Sequence, residues 1–193
     1  MPKPPRDTKR QILDAAYGLF YKEGYARTGV DEIAAAAGIT KRTLYYHFEN
    51  KDALVAEVLD AQNELMLARI EGWALRSGGE PSEMVSAIFA EFAAWARQSR
   101  WRGSGFTRAA MEFAHLPGHP ARKAACRHKT GVEHWLADRF TQQGLRSPEL
   151  LARQIVLLLE GCHSLVLIHG DVSYVEAAAD AARQLVQRGG ARA

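Results

Sequence analysis

The sequence predicts an all-α fold of about nine helices: an N-terminal three-helix helix-turn-helix unit at residues 1–51, followed by a larger helical body at 52–193. Three observations carry this prediction. Apolar residues recur at three- and four-residue spacing through most of the chain. No segment alternates with the period of two that a half-buried strand requires. Capping residues, glycines and prolines break the helical pattern at the intervals expected of helix ends.

The first helix is expected from Thr8, with Gln11 completing a capping box, Ile12, Ala16, Leu19 and Phe20 on one stripe, and Gly24 as the stop. Thr28-Gly29-Val30-Asp31 repeats the cap signature before EIAAAAG, a short second helix ending at Gly38. Thr40 caps a third helix to about His47, and Asn50 a long fourth carrying Leu54, Val58 and Leu65. After the break at Ser77–Pro81, a helix faces Val85, Ile88, Phe89, Phe92 and Trp95 inward. Arg102-Gly103-Ser104-Gly105 opens a sixth helix through Met111 and Phe113, which Pro117-Gly118-His119-Pro120 ends. A long helix covers 121–143. The eighth starts with Ser147 as cap and Pro148 in its first turn, and the last sets Val175, Ala178, Ala182 and Val186 on one stripe.

Composition narrows the function. The two cysteines are too few for a disulfide framework and are expected to be small buried hydrophobes, and no signal-type apolar run follows the basic N-terminus. The longest apolar stretch, Ile155 to Ile168, is expected to fall short of the ~18 residues of a membrane span. A cytoplasmic protein without membrane attachment is therefore expected. Residues 1–51 hold nine Lys and Arg against six Asp and Glu, whereas the rest of the chain holds sixteen of each, so the whole positive excess lies in the first quarter. That distribution suits a nucleic-acid-binding end on a neutral body.

Within that quarter lies Thr40-Lys41-Arg42-Thr43-Leu44-Tyr45-Tyr46-His47-Phe48. On a helix, Leu44 and Phe48 share one side while Arg42 and Tyr46 point oppositely, with Thr43 and Tyr45 beside them. So short a helix needs its neighbours to hold it by the narrow apolar edge, which leaves the polar face open to a partner. A short helix, the Ala37-Gly38-Ile39-Thr40 turn and a second short helix have the form of a helix-turn-helix, whose second helix reads a DNA major groove. Arg42 can face guanine O6 and N7, while hydroxyls and aromatics reach phosphates and thymine methyls.

Thr28 to Leu54, TGVDEIAAAAGITKRTLYYHFENKDAL, resembles the N-terminal domain of the TetR family of bacterial transcriptional regulators. The resemblance implies an all-helical homodimer that binds a palindromic operator, usually as a repressor, and is released when a small molecule enters the C-terminal domain. It further implies that Thr28 and Lys51 touch phosphates, that Lys41, Arg42 and Thr43 begin the base-reading segment with Thr40 as its cap, and that Tyr45, Tyr46 and His47 contact backbone or thymine. Arg42 departs from the glycine or small residue that many members carry.

Other chemistry finds less support. The seven histidines offer no pair at ligand spacing with a carboxylate, so no metal site, catalytic group or cofactor is expected. His163, inside an apolar run, reads as a buried histidine or as a hydrogen-bonder to a ligand. By the resemblance, the effector cavity lies among the helices carrying Phe89, Phe92, Trp95, Phe113, Trp135 and His163. With few fixed charges beside them apart from Arg108, Glu112 and Glu160, an apolar or aromatic effector is expected. The last two helices are expected to pair two subunits, and the fourth to carry an effector signal to the reading helix. The alternatives are a small-molecule-binding helical module whose basic end meets a protein partner, and a redox-sensing regulator using Cys126 or Cys162.

Overall fold

The structure, a computed structural model, describes residues 5–76 and 78–190. Regular structure among them is helical throughout: α1 (Pro5–Glu23), α2 (Val30–Ala36), α3 (Lys41–His47), α4 (Lys51–Leu75), α5 (Pro81–Ala96), α6 (Gly105–Glu112), α7 (Pro120–Gln142), α8 (Pro148–His169) and α9 (Ser173–Gly190). Packing groups them into two compact units. One comprises Met1–Glu64 with Ser104–Arg127, the other Leu65–Gly103 with His128–Ala193. Thus α4 and α7 each begin in the first unit and finish in the second.

In the first unit α2 packs between α1 and α3. Ile12, Ala16, Phe20, Ile33, Leu44, Phe48, Leu54 and Val55 are all at most 2% exposed. Burial of Leu44 and Phe48 contributes about 1.5–3 kcal/mol each, which is what holds a seven-residue helix that could not persist alone. Thr40 caps α3 by accepting the Thr43 amide at 3.1 Å, and Asn50 caps α4 by accepting the Ala53 amide at 2.8 Å, both as the sequence predicts.

In the second unit α5, α8 and α9 pack on one another. Their shared core holds Val85, Ile88, Phe89, Phe92, Ile155, Val175, Ala182 and Val186, with Leu136 and Phe140 of α7. The small side chains of the α9 stripe allow the close approach of helices that the sequence suggests.

Several expectations are corrected. Helix α1 starts at Pro5, a residue suited to the first helical position, so Thr8 lies inside the helix and caps nothing. Thr28 does not cap α2; Gly29 is the cap residue, and the Glu32 carboxylate accepts its amide at 2.8 Å. Ser147 precedes α8 in the left-handed region, φ 49°, and makes no side-chain cap bond. Helix α6 stops at Glu112, leaving Met111 exposed and Phe113 at the C-cap. The apolar stretch read as too short for a membrane span is part of a longer helix. By length and composition α8 could cross a membrane, with a mean hydropathy of 1.6 over its 18-residue window, 33% of which is buried. Within α8, however, Arg153 and Glu160 are ion-paired with Glu133 and Lys129 of α7. Cys162 is buried as expected, but Cys126 is exposed.

Candidate nucleic-acid interface

The turn between α2 and α3 fixes the presentation of α3. Gly38 adopts φ +63°, a conformation that other residues take only with strain, and the amide of Gln11 on α1 donates to the Ala37 carbonyl that ends α2. With Leu44 and Phe48 inward, the opposite face of α3 is open. Tyr46 is 84% exposed and Tyr45 45%, and Arg42 is exposed without an ion pair among the described residues. Thr43 and His47 flank this face half-buried, and the His47 ring meets Tyr46 edge-on at 5.3 Å. Lys41 is exposed and pairs with Asp31 of α2 at 3.0 Å, which holds the ammonium pKa above its ordinary value.

Two other residues implicated by the resemblance sit differently. Thr28 is only 1% exposed, and its hydroxyl donates to the Gly24 carbonyl at 2.7 Å. Lys51, half-buried, donates from Nζ to the Ala26 carbonyl at 2.8 Å; burial lowers its pKa. Both are thus tied to the α1–α2 connection, a segment on which α6 also closes. Glu112 Oε2 accepts the Ala26 amide at 2.7 Å, and Arg108 donates to the Tyr21 carbonyl at 2.7 Å while lying over the Tyr21 ring. Gly24, at φ +104°, leaves room for that carboxylate: a Cβ there would lie 3.4 Å from both Glu112 oxygens. Arg108 and Glu112 are therefore not beside the aromatic residues of the second unit, as the sequence suggests, but grip the end of α1 and the α1–α2 connection. Their i, i+4 spacing marks one side of a helix. It does not reveal that the side meets a segment more than eighty positions away.

The aromatic residues proposed for a ligand divide between the units. Phe92, Trp95 and His163 come together with Trp101, the imidazole lying 4.6 Å from the Phe92 ring centre. Phe89 belongs to the same core and is fully buried. The cluster lacks Phe113, which lies in the first unit stacked on His119 at 3.9 Å. Trp135, half-buried, lines a separate cleft near the end of α7. His163 Nδ1 donates to the Leu159 carbonyl at 2.9 Å, so Nε2 is the acceptor. Burial first, and the nearby Lys129 charge second, push its pKa down to about 4. The same two causes push the buried His128 to about 3. Burial raises the Cys162 thiol to about 11, which keeps it protonated and argues against a reactive role there. Among the described residues no group of three His, Cys, Asp or Glu could hold a metal ion.

Comparison with known proteins finds relatives of the N-terminal segment and of the fold. The model of the bacterial regulatory proteins, tetR family, matches residues 12–58, from Ile12 of α1 to Val58 of α4. The chain is 46% identical over 59 residues to the HTH-type transcriptional regulator TtgR of Pseudomonas putida, covering 31% of this chain and 28% of that protein. It is 36% identical over 89 residues to the HTH-type transcriptional activator FasR of Mycolicibacterium smegmatis, covering 46% and 40%. The chain thus spans about a quarter to two fifths of the length of these curated relatives. Along its whole length it shares the fold of a TetR-family transcriptional regulator from Streptomyces coelicolor, with a TM-score of 0.85 at 24% identity over 96% of this chain and 97% of the other. Residues 12–58 thus form a domain that matches the tetR family of bacterial regulatory proteins.

Proposed function

We propose that the chain is a sequence-specific DNA-binding transcriptional regulator of the bacterial cytoplasm, a repressor that leaves a palindromic operator when a small molecule binds its helical body. The carrying observation is α3 itself: Leu44 and Phe48 are fully buried, while Arg42, Tyr45 and Tyr46 stand out to solvent on the opposite side. A base-reading helix needs that division. In this reading residues 1–51 bind DNA, through Thr40, Lys41, Arg42, Thr43, Tyr45, Tyr46 and His47 on the reading helix and Thr28 and Lys51 near phosphates. Residues 52–193 bind the effector and pair the subunits. Thr28 would act through the loop it holds, since its hydroxyl and its backbone amide both donate to the Gly24 carbonyl.

Pairing through α8 and α9 is supported by what those helices expose. Leu157, Leu165, Leu167 and Ile168 are exposed along α8, and a groove of about 290 Å³ between α8 and α9 is lined by Leu157, Gly161, Leu165, Ala177 and Ala181. A second copy would remove this apolar surface from water and set two α3 helices for successive grooves. The effector, apolar or aromatic, would contact residues among Phe89, Phe92, Trp95, Phe113, Trp135 and His163. Its signal would pass along α4, which belongs to both units.

Selection of duplexes by the purified chain from a random pool tests the function. The expected product is an inverted repeat whose half-sites lie about one helical turn or a multiple apart. A pool that stays random after repeated rounds refutes it.

A further inference from the structure

The second unit contains a cleft apart from the rings around His163. It lies where the end of α4, the start of α5 and the end of α7 approach one another, and has a volume of about 390 Å³. Such a volume suits a small organic ligand. Gly78, Met84 and Trp135 supply an apolar wall, and Arg139, Gln142 and Gln143 a polar one. Gln142, the last residue of α7, and Gln143 just beyond it follow Arg139 by three and four positions, and the Gln143 backbone amide donates to the Arg139 carbonyl at 3.2 Å.

Arg139, like Arg69 over the Trp95 ring, stands apart from the carboxylate-paired cations of this unit. Lys129, Arg153, Arg76, Arg97 and Arg183 each face a carboxylate, of Glu160, Glu133, Glu91, Glu176 and Asp180. Arg139 faces none among the described residues; its guanidinium lies instead over the Trp135 ring, 5.8 Å from the centre. A cation held by an indole keeps its planar fork available for a bidentate acceptor, and the ring beside it offers a stacking surface. The glutamine amides add donors within reach of the same acceptor.

We propose that this cleft binds a planar aromatic carboxylate, with the ring against Trp135 and Met84 and the carboxylate on Arg139, assisted by Gln142 or Gln143. The proposal rests on the reading of the second unit as the effector-binding part, and narrows the effector from aromatic to aromatic and anionic. Binding is measured on the full chain without DNA, so failure of the cleft is distinguished from failure of operator recognition.

Calorimetric titration with naphthoate and with naphthamide, which has the same ring without the charge, tests it. Naphthoate is expected to bind saturably and about tenfold or more tighter than the amide. Arg139→Gln should abolish that preference while leaving the thermal transition in place, because the side chain is exposed. Arg153→Gln, in the same unit but outside the cleft, should retain it. Equal affinity for acid and amide, an unchanged preference in Arg139→Gln, or the absence of saturable heat with naphthoate would overturn the assignment.

Discussion

The carboxylate of Glu112 accepts the backbone amide of Ala26 at 2.7 Å across 86 positions of sequence. The carbonyl of the same residue is held by Lys51 Nζ. Ala26 is therefore fixed at both its polar backbone atoms, and the segment so fixed carries Thr28 and leads into α2. Glu112→Ala should free the amide and loosen the segment, costing about 1 kcal/mol of operator affinity. Fluorescence anisotropy with labelled operator reads the effect. Unchanged affinity would show that the DNA-facing edge does not depend on α6.

Arg42 and Lys51 should fail in different ways. Arg42→Ala removes an exposed side chain with no internal ion pair and is expected to cost about 1–3 kcal/mol on operator and much less on random DNA. Lys51→Ala should weaken both duplexes alike and reduce the slope of log affinity against log salt by about one. Equal losses on the two duplexes for Arg42→Ala would remove it from base reading.

Acid should destabilise the second unit through His128 and His163. Unfolded, both titrate near 6.5; folded, they are lowered to about 3 and about 4. Between these values the unfolded chain binds more protons, so the unfolding free energy rises with pH and levels off above about 6.5. Each histidine contributes at most about 1.4 kcal/mol per pH unit. Both sense Lys129 and Glu160, so their contributions are not independent. Urea titrations at stepped pH should show stability falling from pH 6.5 toward 4, with a shallower fall in His128→Gln. A flat profile would mean that these imidazoles are not held neutral.

Pairing through α8 predicts that Leu157→Asp, at a position 66% exposed in the single chain, leaves the helical content intact and yields a monomer. Sedimentation velocity distinguishes the two states. Operator affinity should fall with it, since one half-site offers half the contacts. A variant that remains dimeric would move the interface elsewhere.

The helices, their caps at Thr40 and Asn50, and the outward face of α3 were legible because each follows from local periodicity or from a side chain reaching its own backbone. Long-range placements were not. Arg108 and Glu112 read as charges near a ligand because their sequence neighbours are aromatic, and only the fold brings them to Tyr21 and Ala26. The resemblance groups Phe113 with Phe92, although they pack in different units. Thr28 carries a cap signature, but Gly29 takes the cap position and the Thr28 hydroxyl turns back to donate to the Gly24 carbonyl. Cys126 and Ser147 show the same limit: exposure and a left-handed φ depend on what the neighbouring helices leave open.

The link between Lys41 and Asp31 bears on how the chain would meet a duplex. An ammonium already matched by an aspartate brings little net attraction to a distant phosphate, and reaching one means giving up that partner, a cost of about 0–1 kcal/mol at an exposed site. Long-range steering would then fall to exposed cations without such a partner, Arg42 and Arg27 among them, with Lys41 engaging late, after the protein has already arrived.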